Sequence, residues 1–182
     1  RMTDWVAESL SVDHDEANRL RHHYWKEYGT TLAGLMREHG FDPGPYLHDV
    51  HENSVDPLEP DPALAATIGA LPGRRIVYTN GSEPYARRVL KARGLENAFD
   101  AVYGVEHANF RPKPERQAFE TVFKSDGLEP KSAAMFEDEP RNLSAPFDLG
   151  MRTVHVATAP VSQPYIHHHT DDLAGFLSQI LR

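Results

Sequence analysis

Arg75-Ile76-Val77-Tyr78-Thr79-Asn80-Gly81-Ser82-Glu83-Pro84 is the stretch on which the fold turns. Its first five residues form a short β-rich run after Pro72-Gly73, and they predict a strand over 75–79. Ser82 stands where it can cap a helix that runs to Gly94, the residue type suited to a left-handed helix exit. Between strand and helix lie a hydroxyl, an amide side chain and a glycine. Backbone N–H groups at such a helix start, together with the helix dipole, favour a phosphate. Taken alone, the same residues also read as an ordinary strand-to-helix turn with a serine cap.

Working outward, the rhythm repeats. Asp61 caps and Pro62 starts a helix to about Leu71. A second strand falls within 99–105, and a helix over 115–125 ends near Gly127. The run AAMFE at 133–137 predicts a third strand, followed by a helix over 140–149 with Gly150 as its exit. TVHVA at 153–157 predicts a fourth strand, and 171–181 a last helix. Apolar strands alternating with helices argue for an α/β fold, a Rossmann-like parallel sheet covered by helices on both faces. In such sheets the active site lies past the carboxyl ends of the strands.

Upstream of residue 56 the pattern is helical instead. Trp5, Val6 and Leu10 can share one face, and Leu20, Tyr24, Trp25 and Tyr28 recur at helical spacing. Ser11-Val12-Asp13 caps a helix from about Glu16 to Tyr28, and Thr30 or Thr31 opens a third that ends at Gly40. Asp42-Pro43-Gly44-Pro45 reads as a turn before a short helix over 46–52. The proline-rich run at 56–62 is a stiff connector. The expected organisation is therefore a helical subdomain over 1–57 and an α/β core over 58–182. The opening Arg1-Met2-Thr3-Asp4-Trp5-Val6 reads as the inside of an amphipathic helix, so further residues are expected upstream.

Composition narrows the function. A net charge of −8 repels polyphosphate backbones, which argues against a nucleic-acid partner. No apolar run approaches the roughly 20 residues of a membrane helix. No cysteine is present, which excludes disulfides and thiolate chemistry and fits a cytoplasmic protein. Nothing in the pattern speaks to oligomeric state.

Two further strand ends carry chemistry. After the second strand, Lys113 sits between Pro112 and Pro114, a stiff mount that can present its ammonium to an anion as a point charge; a solvated lysine at a helix start is the competing reading. After the third strand, Glu137, Asp138 and Glu139 stand together. Their mutual repulsion costs stability unless a cation relieves it, and hard carboxylate oxygens suit Mg2+. Acids at a helix start are the plainer explanation. The three sites together say more than each alone, because consecutive strands of one sheet bring them into convergence.

That set resembles the haloacid dehalogenase (HAD) superfamily, with YTNGS at 78–82, RPKPE at 111–115 and MFEDEPRN at 135–142 looking like its second, third and fourth motifs. The whole chain looks like the pyrimidine 5′-nucleotidase branch of HAD phosphatases, with the first helices as a cap. The resemblance implies a magnesium-dependent hydrolase of phosphate monoesters acting through an aspartyl-phosphate, on a small phosphorylated metabolite such as a pyrimidine nucleoside 5′-monophosphate. It implies that Thr79, Asn80, Gly81 and Lys113 bind the phosphoryl group, with Thr79 and Lys113 catalytic. Asp138 would ligate magnesium directly, and Glu137 and Asn142 would orient it.

One departure stands out. The family's first motif, a strand followed by Asp-x-Asp, supplies the nucleophile. Asp13-His14-Asp15 has that spacing but no apolar strand before it. The first central strand is therefore expected to be missing between the strands at 75–79 and 133–137, leaving a chain inactive as it stands. A non-catalytic phosphate-binding or regulatory module is the alternative. Of the eleven histidines, His22-His23 fall on a helix and His167-His168-His169 before the last helix read as a surface run in a loop, and Trp5, Tyr24, Trp25 and Tyr28 as cap core.

Overall fold

The computed structural model describes residues 1–52, 55 and 57–181. Asn53 at the end of the expected cap, Asp56 at the head of the expected connector and Arg182 lie outside the described residues.

Four helices come first: α1 (Met2–Leu10), α2 (His14–Tyr28), α3 (Thr31–His39) and α4 (Pro43–His51). Their starts are set by short polar side chains that accept otherwise orphaned N–H groups. Asp13 accepts from the Glu16 N–H at 2.8 Å and Thr30 from that of Ala33 at 3.1 Å. Asp42 does the same for Gly44 at 2.7 Å. The expected turn at 42–45 is therefore the first turn of α4, because Pro43 at the first helical position supplies a helical φ and lacks an N–H that would go unpaired anyway. The four helices enclose Val6, Ala17, Tyr24, Leu32, Leu35, Tyr46 and Val50. α2 and α3 approach closely, for a Cβ on Gly34 would stand 2.2 Å from the Tyr24 ring.

The rest alternates as α5 (Pro62–Ala70), β1 (Ile76–Tyr78), α6 (Glu83–Ala92), β2 (Ala101–Tyr103), α7 (Arg116–Asp126), β3 (Ala134–Glu137), α8 (Ser144–Asp148), β4 (Arg152–Val156), β5 (His168–Thr170) and α9 (Leu173–Ile180). All strand pairs are parallel. Side chains on β3 alternate in direction, so Met135 packs with Phe119 and Val122 of α7, while Phe136 packs with Ile68 of α5 and Leu177 of α9. Helices thus cover both faces, as an α/β fold requires. Among the described residues no helix is long and apolar enough to cross a membrane.

The sheet is in two pieces. β1 pairs with β2, and β3 with β4 and β5. The described strands β1 and β3 do not pair with each other.

Two further expectations are corrected. The helix over 140–149 is a 3₁₀ turn at Pro140–Leu143 followed by the short α8, since Pro146 lacks the N–H a continuous helix would use there. The histidine tract is no loop: His168 and His169 lie in β5, aligned with Val154 and His155 of β4. Pairing to a neighbouring strand overrides a composition with little β preference. Arg93 pairs with Asp61 at 3.0 Å and bonds the Glu59 carbonyl, while Arg88 donates to the His51 carbonyl at 3.2 Å.

Candidate active site

The carboxyl ends of β1 and β3, the loop after β2 and the inner face of the first four helices enclose a cavity of about 800 Å³. Every site residue singled out in the sequence lines it: Thr79, Asn80 and Gly81 after β1, Lys113 after β2, and Glu137, Asp138 and Asn142 at the end of β3.

The Thr79 N–H continues the β1–β2 ladder, donating to the Tyr103 carbonyl at 2.9 Å. Its hydroxyl accepts from the Gly81 N–H at 3.0 Å, which curls the loop back on itself. Asn80 has a part the sequence did not reveal. Its side-chain amide donates to the Lys113 carbonyl at 3.0 Å, and its oxygen accepts from the Lys113 N–H at 2.8 Å. This two-way clamp locks the lysine backbone to the β1 loop.

Lys113 is buried rather than solvated. Its Nζ donates to the Tyr78 carbonyl at 3.2 Å and is ion-paired with Glu137. An ammonium has three donors, so one N–H remains for the cavity. Burial raises the Glu137 pKa, Lys113 opposes that shift, and the adjacent Asp138 carboxyl adds to it. Glu139 is neutralised by Arg141 at 3.1 Å. Of the three acids, Asp138 has no ion pair among the described residues, and its backbone carbonyl accepts from His155 Nε2 at 3.1 Å. Two neighbouring carboxyl groups, one lacking a basic partner, beside the buried Asn142 amide make an oxygen-rich donor set, and a hard divalent cation fits it.

Two contacts were not foreseen. Trp25 is not core: it is 46% exposed and lines the cavity, with the Arg141 guanidinium 3.9 Å above its ring. Arg141 also donates to the Trp25 carbonyl at 3.2 Å, so the pair ties α2 to the acidic loop. Elsewhere, Glu83, Glu106 and His107 cluster closely enough to suggest a metal site. Yet His107 Nδ1 accepts from the Gly104 N–H at 3.1 Å, which leaves the ring proton on Nε2, facing Glu83. Arg87 neutralises Glu83 at 2.7 Å. This trio is a brace for the start of α6, with Glu106 accepting the Glu83 N–H at 2.7 Å. Ser82, expected as the cap, makes no capping bond.

The loop after β1, Lys113 after β2 and the acids at the end of β3 thus meet around one cavity at the carboxyl ends of parallel strands. The chain belongs to the haloacid dehalogenase-like hydrolase family, whose sequence profile matches residues 9–156. It is 27% identical over 169 residues to phosphate metabolism protein 8 of Saccharomyces cerevisiae, covering 82% of this chain and 52% of that protein. The chain thus spans about half the length of this curated relative. It is similar in fold to a HAD phosphatase from Thermococcus onnurineus, with TM-score 0.63 and 20% identity over 99% of this chain and 86% of the other. It is likewise similar to the HAD-hydrolase YfnB of Bacillus subtilis, determined bound to magnesium, with TM-score 0.63 and 14% identity over 100% and 90%.

Proposed function

We propose that the protein to which this chain belongs is a magnesium-dependent phosphate monoester hydrolase, acting on small phosphorylated metabolites with pyrimidine nucleoside 5′-monophosphates as the first class to test. The observation that carries this reading is the meeting of Thr79, Lys113 and Asp138, from three separate strand ends, around one cavity.

In this reading the phosphoryl group lies on the 79–81 loop. The Thr79 hydroxyl and the Asn80 N–H donate to its oxygens. The remaining Lys113 N–H balances the charge that builds during transfer, and positioning of this kind does most of the work in phosphoryl chemistry. Asp138 would hold magnesium, with Glu137 and Asn142 orienting it. The ion, when bound, neutralises phosphoryl charge as a Lewis acid. The nucleophilic carboxylate is assigned to a strand that inserts between β1 and β3, where unpaired backbone groups favour a partner. The first four helices serve as a cap that excludes water and selects the substrate.

The test is to extend the chain upstream by a family-type strand carrying Asp-x-Asp and to assay phosphate release from cytidine and uridine monophosphates. Magnesium-dependent turnover is expected, abolished by Lys113→Ala or by Asp138→Ala. Activity that survives both substitutions would overturn the assignment. Chloride release from 2-chloropropionate without phosphatase activity would point to carbon–halogen hydrolysis instead.

A further inference from the structure

The last residue of α4, His51, is built into the phosphate loop by contacts that the proposed mechanism leaves unexplained. Its ring lies flat on Tyr85 of α6, with centroids 4.4 Å apart and planes 3° from parallel. Its Nδ1 is 3.0 Å from Ser82 Oγ. Its carbonyl accepts from Arg88 at 3.2 Å. Position, plane and rotation of the imidazole are therefore all held by α6, while the residue itself belongs to the helical layer.

His51 lines the cavity, and its other ring nitrogen lies beside Gly81 and Thr79. A Cβ built on Gly81 would lie 3.5 Å from His51 Nε2 and 3.5 Å from Thr79 Oγ1. The histidine nitrogen and the threonine hydroxyl thus flank one small space at the glycine, and a side chain there would crowd both. Ser82 is free to hold the ring because Glu106 takes over the capping of α6. When Ser82 donates to Nδ1, the ring proton stands on Nε2 and faces the cavity. When the ring is cationic, Nδ1–H donates to Ser82 and Nε2–H still faces the cavity.

We infer that His51 is an anion-binding residue of this site: α4 delivers its Nε2–H to a phosphoryl oxygen held on the Thr79–Asn80–Gly81 loop. The inference rests on the phosphate-site reading above. It makes the substrate itself a bridge between helical layer and sheet, since one side of the oxyanion would be held by α4 and the other by β1 and Lys113. The groups around the ring are Arg88 and Tyr85 from α6, and Glu106 from the 3₁₀ turn Val105–Ala108. Burial lowers the pKa of His51, Glu106 opposes this and Arg88 adds to it. The free ring is therefore biased toward neutrality, and a bound anion draws a proton onto it.

The experiment is calorimetric titration of the chain with inorganic phosphate, in wild type, His51→Ala, His51→Gln and Lys113→Ala, with circular dichroism as the folding check. His51→Ala should weaken phosphate binding about tenfold, the loss of one charge-assisted hydrogen bond. His51→Gln should recover part of that loss but none of the strengthening that wild type shows as the pH falls through the imidazole range. On wild type itself, phosphate should raise the pKa of the His51 ring as read by its NMR shifts, a result that does not depend on any variant folding. His51→Ala binding phosphate as tightly as wild type, while Lys113→Ala does not bind, would overturn the role of His51 and leave the site standing. No phosphate binding by wild type would overturn both.

Discussion

Lys113 and Glu137 form an ion pair in the interior, with side chains only 7% and 6% exposed. Neither charge is tolerable there alone. Lys113→Met should destabilise the fold by about 3–5 kcal/mol, the usual effect of stranding one member of a buried pair. Lys113→Met combined with Glu137→Met should be more stable than the single variant, because no charge is left unpaired. Urea unfolding of the three proteins checks this, and a double variant no more stable than Lys113→Met would contradict it.

Arg74 and Tyr103 both bond the Asp126 carboxylate, at 2.7 Å and 2.9 Å. The Arg74 hydrogen bond is the main cause that lowers the Asp126 pKa below its ordinary 3.8, against burial, which raises it. The folded state therefore holds the proton less tightly than the unfolded chain. The stabilisation is fully present above 3.8 and is lost as the pH falls through the folded value. Denaturant midpoints recorded downward from neutral pH should fall in that acid range for wild type, and more shallowly for Asp126→Asn. Parallel curves for the two proteins would refute the assignment.

Gly34 leaves room for Tyr24. A methyl group at that position would overlap the ring, and both residues lie on packed helices that cannot easily separate. Gly34→Ala should cost about 1–3 kcal/mol through overpacking, in spite of alanine's better helix propensity. Thermal melting gives the sign directly, and a rise in Tm would show that α2 and α3 can part.

His155 donates to the Asp138 carbonyl, and its Nδ1 lies 3.2 Å from His169 Nδ1. A neutral His155 that donates through Nε2 must accept at Nδ1, so His169 sets which nitrogen carries the proton. Under the proposed function this pair orients the magnesium-binding loop. His155→Leu should weaken Mg2+ binding by calorimetry about tenfold or more, as loss of an outer partner commonly does. His169→Ala should have a smaller effect. Unchanged Mg2+ affinity in His155→Leu would limit the histidine to packing.

Much of this architecture was legible in the sequence. β1 and β3 are short apolar runs that end abruptly at polar residues, and side-chain burial together with the breaks at Gly73, Gly94, Gly127 and Gly150 is a local property of the chain. The strand ends then named Thr79, Lys113 and Asp138 as neighbours, because parallel strands alternating with helices deliver their carboxyl ends to one edge. What tertiary structure alone decided is which polar groups pair across that edge. The Asn80 clamp on Lys113, the transfer of the α6 cap from Ser82 to Glu106, the strand made by a histidine tract and the seating of His51 on Tyr85 each join residues at least 14 positions apart. Periodicity reports whether a side chain faces the interior, not which partner meets it there. A buried polar group must find its partner in three dimensions or pay the full cost of desolvation.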